Sequence, residues 1–120
     1  MLPAPRRLRA RSEFTEVIRS GRRAGRPTLT VHLAPPVDGG QDAPARAGLV
    51  VSKAVGGSVV RSTVSRRLRH LLRDRLDVLT PGTRLVVRAA PAAATSSSAV
   101  LGADLDAALS RLTRSGPGTR

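Results

Sequence analysis

The sequence contains no cysteine, no tryptophan and no tyrosine, and its one phenylalanine is Phe14. Without cysteine there is no disulfide, no thiolate metal site and no cysteine nucleophile, so stability has to come from ordinary burial. Acids are scarce, 8 Asp and Glu in all, and the histidines are two, His32 and His70. An enzyme acting alone needs a positioned nucleophile, base or metal set, and these few groups supply little from which to build one. Long apolar runs are missing as well. Ala47 to Val51 is among the longest, far short of the roughly 20 residues that span a bilayer. The Arg-rich start does not lead into the apolar stretch and small-residue cleavage site of a secretory signal. Nor is there an amphipathic anchor rich in Trp, Phe and Leu, or a lipidation motif. These absences predict a cytoplasmic protein with no membrane partner.

What is abundant is positive charge. The 21 Lys and Arg give a formal net charge of +13 on 120 residues, the length of one domain with one modest core. Such an excess repels itself in a compact fold and attracts polyanions, so it bears on the partner more than on the fold. Nucleic acid is the first candidate.

The spacing of apolar residues predicts the elements. Ser12 is placed to cap a helix from about Glu13 to Ser20, with Phe14, Val17 and Ile18 on one face and Gly21 as its stop. Thr28 to Leu33 is rich in β-branched residues and reads as a strand. The segment 34–45 holds Pro35, Pro36, Gly39, Gly40 and Pro44 and reads as a variable surface loop. Ala47 to Ser52 reads as a strand covered on both faces, with Lys53 at its exit. From Ser58 to about Leu79, Val60, Val64, Leu68, Leu71, Leu72, Leu76 and Leu79 recur with the helical period. Successive residues at 100° then put Ser62, Arg66, Arg69 and Arg73 in one stripe on the opposite face. Pro81 and Gly82 break the chain before a strand from Thr83 to Ala89. Ser97 or Ser98 opens a last helix carrying Val100, Leu101, Leu105, Ala108, Leu109 and Leu112. One domain is expected over residues 1–112, with 113–120 as a disordered tail.

The distribution of charge matters more than its total. No acid occurs between Asp42 and Asp74, a stretch that holds Arg46, Lys53, Arg61, Arg66, Arg67, Arg69 and Arg73. A solvated helix face usually interleaves acids in i, i+4 pairs, and this one does not, which favours nucleic acid over a plain surface. Arg suits the work because its planar fork holds phosphate through two hydrogen bonds and stacks on bases. His32 in a strand and His70 among arginines read as structural or RNA-contacting rather than catalytic. Gly56 and Gly57 stand where amides can cradle phosphate, but no Gly-Lys-Ser or Gly-Lys-Thr follows. They read as a tight turn, and no small-molecule substrate is expected.

A Lys that ends a short strand, a glycine turn and a helix opening on clustered Arg together resemble the bacterial ribonuclease P protein family. The carrying residues are Gly48-Leu49-Val50-Val51-Ser52-Lys53 and Arg61-Ser62-Thr63-Val64-Ser65-Arg66-Arg67-Leu68-Arg69. Upstream, Arg7-Leu8 with Phe14, Val17 and Gly21 resembles the family's opening helix. Two positions depart from the family's signature: its Asn is Ser62 here and its Lys is Ser65.

The resemblance implies an α/β (α+β) sandwich like one domain of a ribosomal protein. About four strands would pack with three helices in the order α-β-β-(β)-α-β-α. It further implies a protein subunit that helps a catalytic RNA remove 5′ leaders from precursor tRNAs, with no cofactor of its own and Mg2+ held through the RNA. Carried over by position, the residues facing the catalytic RNA are Arg46, Lys53, Arg61, Ser62, Arg66, Arg67, Arg69 and Arg73. Those facing the leader are Phe14, Ile18, Thr28, Thr30 and His32, and no residue is catalytic. The alternative readings are a ribosomal protein or general RNA chaperone, a protein-only nuclease, and a DNA-binding protein. The last lacks a helix-turn-helix, since a strand precedes the Arg helix.

Overall fold

The computed structural model describes Leu8 and residues 11–36 and 43–114. Its elements are α1 (Arg11–Ser20), β1 (Arg22–Gly25), β2 (Leu29–Ala34), β3 (Arg46–Val50), α2 (Ser58–Leu76), β4 (Arg84–Ala89) and α3 (Ser98–Arg114). A 3-10 turn, Pro91–Thr95, precedes α3. The strands form one sheet in the order β1-β2-β4-β3. β1 and β4 each run antiparallel to β2, and β3, connected to β4 through α2, lies parallel to it. This is the expected α+β architecture, with the bracketed strand present.

Strand alternation divides the sheet into two faces. On one, Ala24, Leu29, Val31, Ala47, Leu85 and Val87 meet Val64, Leu68, Leu72 and Leu76 of α2 and Leu101, Leu105 and Leu112 of α3 in the main core. The helical period that predicted α2 is thus its buried stripe from Val64 to Leu76, while Val60, expected on it, is exposed and Leu71 is half-buried. The other face carries α1, through a smaller cluster of Leu8, Val17, Ala34 and Val86 flanked by Phe14, Ile18 and Val50. The Phe14 ring lies directly on Gly48, where any Cβ would collide with it. β3 is therefore covered on both faces although it is an edge strand, and the Leu8 amide extends its outer edge by donating to the Ala47 carbonyl at 3.0 Å.

Two ion pairs bind α1 to this face, Glu13 with Arg46 at 2.9 Å and Glu16 with Arg84 at 2.8 Å. On the far side Asp104 ties α3 to the β1–β2 turn, accepting from the Thr28 hydroxyl at 2.7 Å and the Thr28 amide at 3.2 Å. Hydrogen bonds from Thr28, the hydroxyl foremost, hold the Asp104 carboxyl below its ordinary value.

Several boundaries differ from expectation. α1 begins at Arg11, so Ser12 lies inside the first turn rather than capping it. A fourth strand was implied by the resemblance, but the residues of β1 were not identified as a strand. α2 closes at Leu76, and Leu79 turns back to donate its amide to the Leu76 carbonyl at 3.2 Å. Gly82, at φ 85°, makes the turn into β4 that Pro81-Gly82 predicted. Ser97 is the cap of α3, its Oγ accepting from the Val100 amide at 3.2 Å. α3 continues to Arg114, so residues 113 and 114, placed with the tail, are helical, and the Thr113 hydroxyl donates to the Leu109 carbonyl at 2.8 Å. Residues 37–42 of the expected loop and 115–120 of the expected tail lie outside the described residues.

Candidate nucleic-acid interface

α2 buries Val64, Leu68 and Leu72, which turns Ser62, Arg66 and Arg73 outward to solvent. Arg69, half-buried, faces the β3 side. With Arg61, Ser62, Ser65, Ser58 and Val51 it lines a depression of about 300 Å³. Its Nε is buried with no hydrogen-bond partner, whereas the Arg61 Nε donates to the Gly56 carbonyl at 3.1 Å. Ser62 and Ser65, the two departures from the signature, both lie in this depression, where short hydroxyls replace longer side chains. Lys53 is exposed in the turn that leads to α2. The depression is thus a polar, cationic notch whose lining suits an anion better than an apolar ligand.

Two expected RNA contacts are placed differently. Arg46 belongs to the α1 face and pairs with Glu13, so its charge is spent on anchoring α1. Arg67 lies toward α3, and its guanidinium donates to the Ser96 carbonyl at 3.0 Å, tying α2 to the chain that enters α3. In both, a partner distant in sequence holds the guanidinium.

The second surface is the part of the sheet that α1 leaves open. The register sets Arg23, His32, Val86 and Gly48 in one row and Gly25, Thr30, Arg88 and Val50 in the next. Alternation puts both rows on the α1 side. Phe14 and Ile18 close its flank, half-buried, while Thr30 is half-buried and Arg88 exposed. His32 is 2% exposed, and neither ring nitrogen has a partner. Burial, then the charges of Arg88 and Arg23, lower its pKa from the ordinary 6.5, so the ring is neutral at pH 7 and offers one donor and one acceptor.

Of the leader-facing candidates, Phe14, Ile18, Thr30 and His32 therefore share one face. Thr28 does not join them, because its hydroxyl is committed to Asp104 on α3. Arg23 and Arg88 lie on the same face and were not among the expected contacts. Arg88 was legible, since it shares the parity of Val86 and Arg84 in a strand whose odd positions, Leu85 and Val87, face the core. The two surfaces meet at the end of β3, where Val50 faces the sheet surface and Val51 lines the α2 depression. Acids are drawn off elsewhere: Glu13 to Arg46, Glu16 to Arg84, Asp104 to Arg26 and Asp106 to Arg75. Among the described residues no three His, Asp or Glu side chains gather as a metal-binding group.

An arginine helix beside a partly open, basic sheet face defines an α+β protein whose surface suits nucleic acid. The ribonuclease P family profile matches residues 2–113. The ribonuclease P protein component of Streptomyces griseus is 58% identical over 117 residues, covering 93% of this chain and 95% of its own. That of Salinispora tropica is 51% identical over 124 residues, 91% of each. Among solved structures, the Staphylococcus aureus ribonuclease P protein superposes with a TM-score of 0.76 at 18% identity, covering 88% of this chain and 94% of the other. The Thermotoga maritima protein gives 0.71 at 21%, covering 92% and 97%. The chain belongs to the ribonuclease P protein family.

Proposed function

We propose that the chain is the protein subunit of ribonuclease P, with α2 holding the catalytic RNA and the open sheet face holding the 5′ leader of a precursor tRNA. The observation that carries this division of labour is the junction at the end of β3. There a helix notch lined by Arg61 and Arg69 passes directly into a sheet face lined by Arg88 and Val50. One continuous basic surface can then touch both RNAs at once.

The chemistry follows from what the protein brings. Phosphodiester hydrolysis, assisted by Mg2+ bound through the catalytic RNA, is left to that RNA, and the protein contributes cations that screen phosphate against phosphate. Lys53, Arg66, Arg69 and Arg73 hold phosphates on the catalytic RNA. Arg23 and Arg88 hold the leader backbone, Phe14 and Ile18 give it an apolar wall, Thr30 offers a hydroxyl to its bases, and His32 lies buried beneath them. With one aromatic side chain to stack on, grip on the single strand rests mainly on charge and apolar contact. Processing of precursor tRNA places the complex in the cytoplasm. Near-full-length identity to ribonuclease P protein components supports this reading over a ribosomal protein or general RNA chaperone.

The test is cleavage of precursor tRNA at low Mg2+ by the cognate catalytic RNA, with and without the protein, beside the protein alone. Stimulation that requires both components is the expected result. An RNA that is active at high Mg2+ and indifferent to the protein at low Mg2+ contradicts the proposal.

A further inference from the structure

β1 is the edge of the sheet farthest from β3, and it is unusually basic. Arg22, Arg23 and Arg26 are all exposed on or beside it. The Arg22 guanidinium donates to the Leu112 carbonyl at 2.9 Å, which brings the end of α3, with exposed Arg111, alongside this edge. Arg19 stands exposed in the last turn of α1, three residues before Arg22. The one acid bonded into this edge among the described residues is Asp104, which takes Arg26 at 3.4 Å while that side chain stays 45% exposed. Arg23 shares its row with His32 on the α1 side, and Arg22 and Arg26 reach toward α3, so the cations wrap around the edge from one face to the other.

Edge strands are often charged simply to prevent pairing with another chain. One or two charges on the strand serve that purpose, and acids serve it as well as bases. Here the charge is of one sign and continues onto both flanking helices, which suits a polyanion.

Position identifies which polyanion. A single strand that enters the sheet face beside Val50 and Arg88 crosses β4 and β2 and leaves it at Arg23. Three inter-strand steps of ~4.8 Å make that path about 14 Å, which a few nucleotides cover. Anything longer has to pass the β1 edge. We propose that this edge is a second RNA contact, holding phosphates of the leader upstream of those on the sheet face, without regard to sequence. The proposal rests on the leader reading given above.

The test uses the assembled holoenzyme and two precursor tRNAs, one whose leader ends on the sheet face and one whose leader extends well past it. Binding is measured across a salt series for the wild type and for the double variant Arg19→Ala with Arg111→Ala. The long-leader precursor should lose roughly tenfold in affinity, and its log–log salt slope should become shallower by about 1.4, two cations at ~0.7 each for a single strand. The short-leader precursor should be unaffected, and Arg19→Lys with Arg111→Lys should restore the long one. An equal loss on both precursors assigns the edge to the tRNA body or the catalytic RNA and overturns the proposal, as does no loss on either. If the wild type binds leaderless tRNA as tightly as precursor, the leader reading itself fails, a result separable from a wild-type leader preference that the variant leaves intact.

Discussion

One face of the sheet packs α2 and α3 through a continuous layer of Leu and Val, while the other holds α1 with four buried side chains, two ion pairs and a glycine under an aromatic ring. The first face leaves little unsatisfied, and its one buried carboxylate, Asp104, accepts three hydrogen bonds. The second leaves His32 without a partner and Arg88 exposed. Stability is thus concentrated where the sheet is sealed, and recognition where it is only partly covered. Tight, non-directional packing serves the first purpose. The second face leaves polar groups without partners, and these cost folding free energy.

The comparison is most strongly tested in the sealed face. Leu72→Ala, at a fully buried position, is expected to cost about 2–5 kcal/mol in chemical denaturation. Val17→Ala under α1 should cost clearly less, and an equal loss would erase the distinction.

Next in size is Asp104→Ala, which strands the buried Thr28 amide and hydroxyl and should cost about 1–3 kcal/mol. Because the Asp104 pKa is lower folded than unfolded, its contribution is present above the ordinary carboxylate range and is lost as pH falls through the folded value. The gap between wild type and variant in an acid titration should therefore narrow as pH falls. A constant gap would detach the effect from the carboxylate.

Gly48→Ala sharpens the open side. A methyl at this position meets the Phe14 ring, so α1 has to lift. A loss of stability of about 1 kcal/mol is expected, together with a larger relative loss in binding of leader-bearing precursor. A variant that unfolds outright would show that α1 carries more of the fold than its contacts suggest.

The smallest expected effect is the titration of His32. Its folded pKa is lowered, so near pH 6 the unfolded chain binds more protons, and stability declines as pH falls from about 6.5 toward the folded value. On the proposed reading, a leader phosphate paired with Arg88 or Arg23 offsets the charges that lower that value, so binding is expected to take up a proton and tighten over the same window. His32→Gln should flatten both trends, and a leader affinity whose pH profile is unchanged in that variant would remove His32 from the contact.

The parts of this design that were legible in the sequence are those governed by local geometry. The period of Val64, Leu68, Leu72 and Leu76 fixes which side of α2 is buried, and that fixes Ser62, Arg66 and Arg73 on the outside. The strand that carries His32 declared itself through its β-branched residues. β1 did not, because Arg22-Arg23-Ala24-Gly25 has little strand propensity and is extended only by pairing with β2. The intramolecular partners of two expected RNA contacts and one expected leader contact were hidden for another reason. Arg67 is claimed by Ser96, Arg46 by Glu13 and Thr28 by Asp104, partners distant along the chain that no local period reveals.

The central claim is that two surfaces serve two RNAs, and it is tested most directly by measuring two affinities on two variants. Arg66→Ala with Arg69→Ala should weaken binding of the catalytic RNA roughly tenfold, without altering thermal stability. Arg88→Ala should leave that affinity intact and weaken the holoenzyme's hold on precursor tRNA several-fold, only when a leader is present. That crossed pattern is what the structure predicts. If both variants weaken the same RNA to the same degree, the helix and the sheet face form one undivided site and the account is wrong.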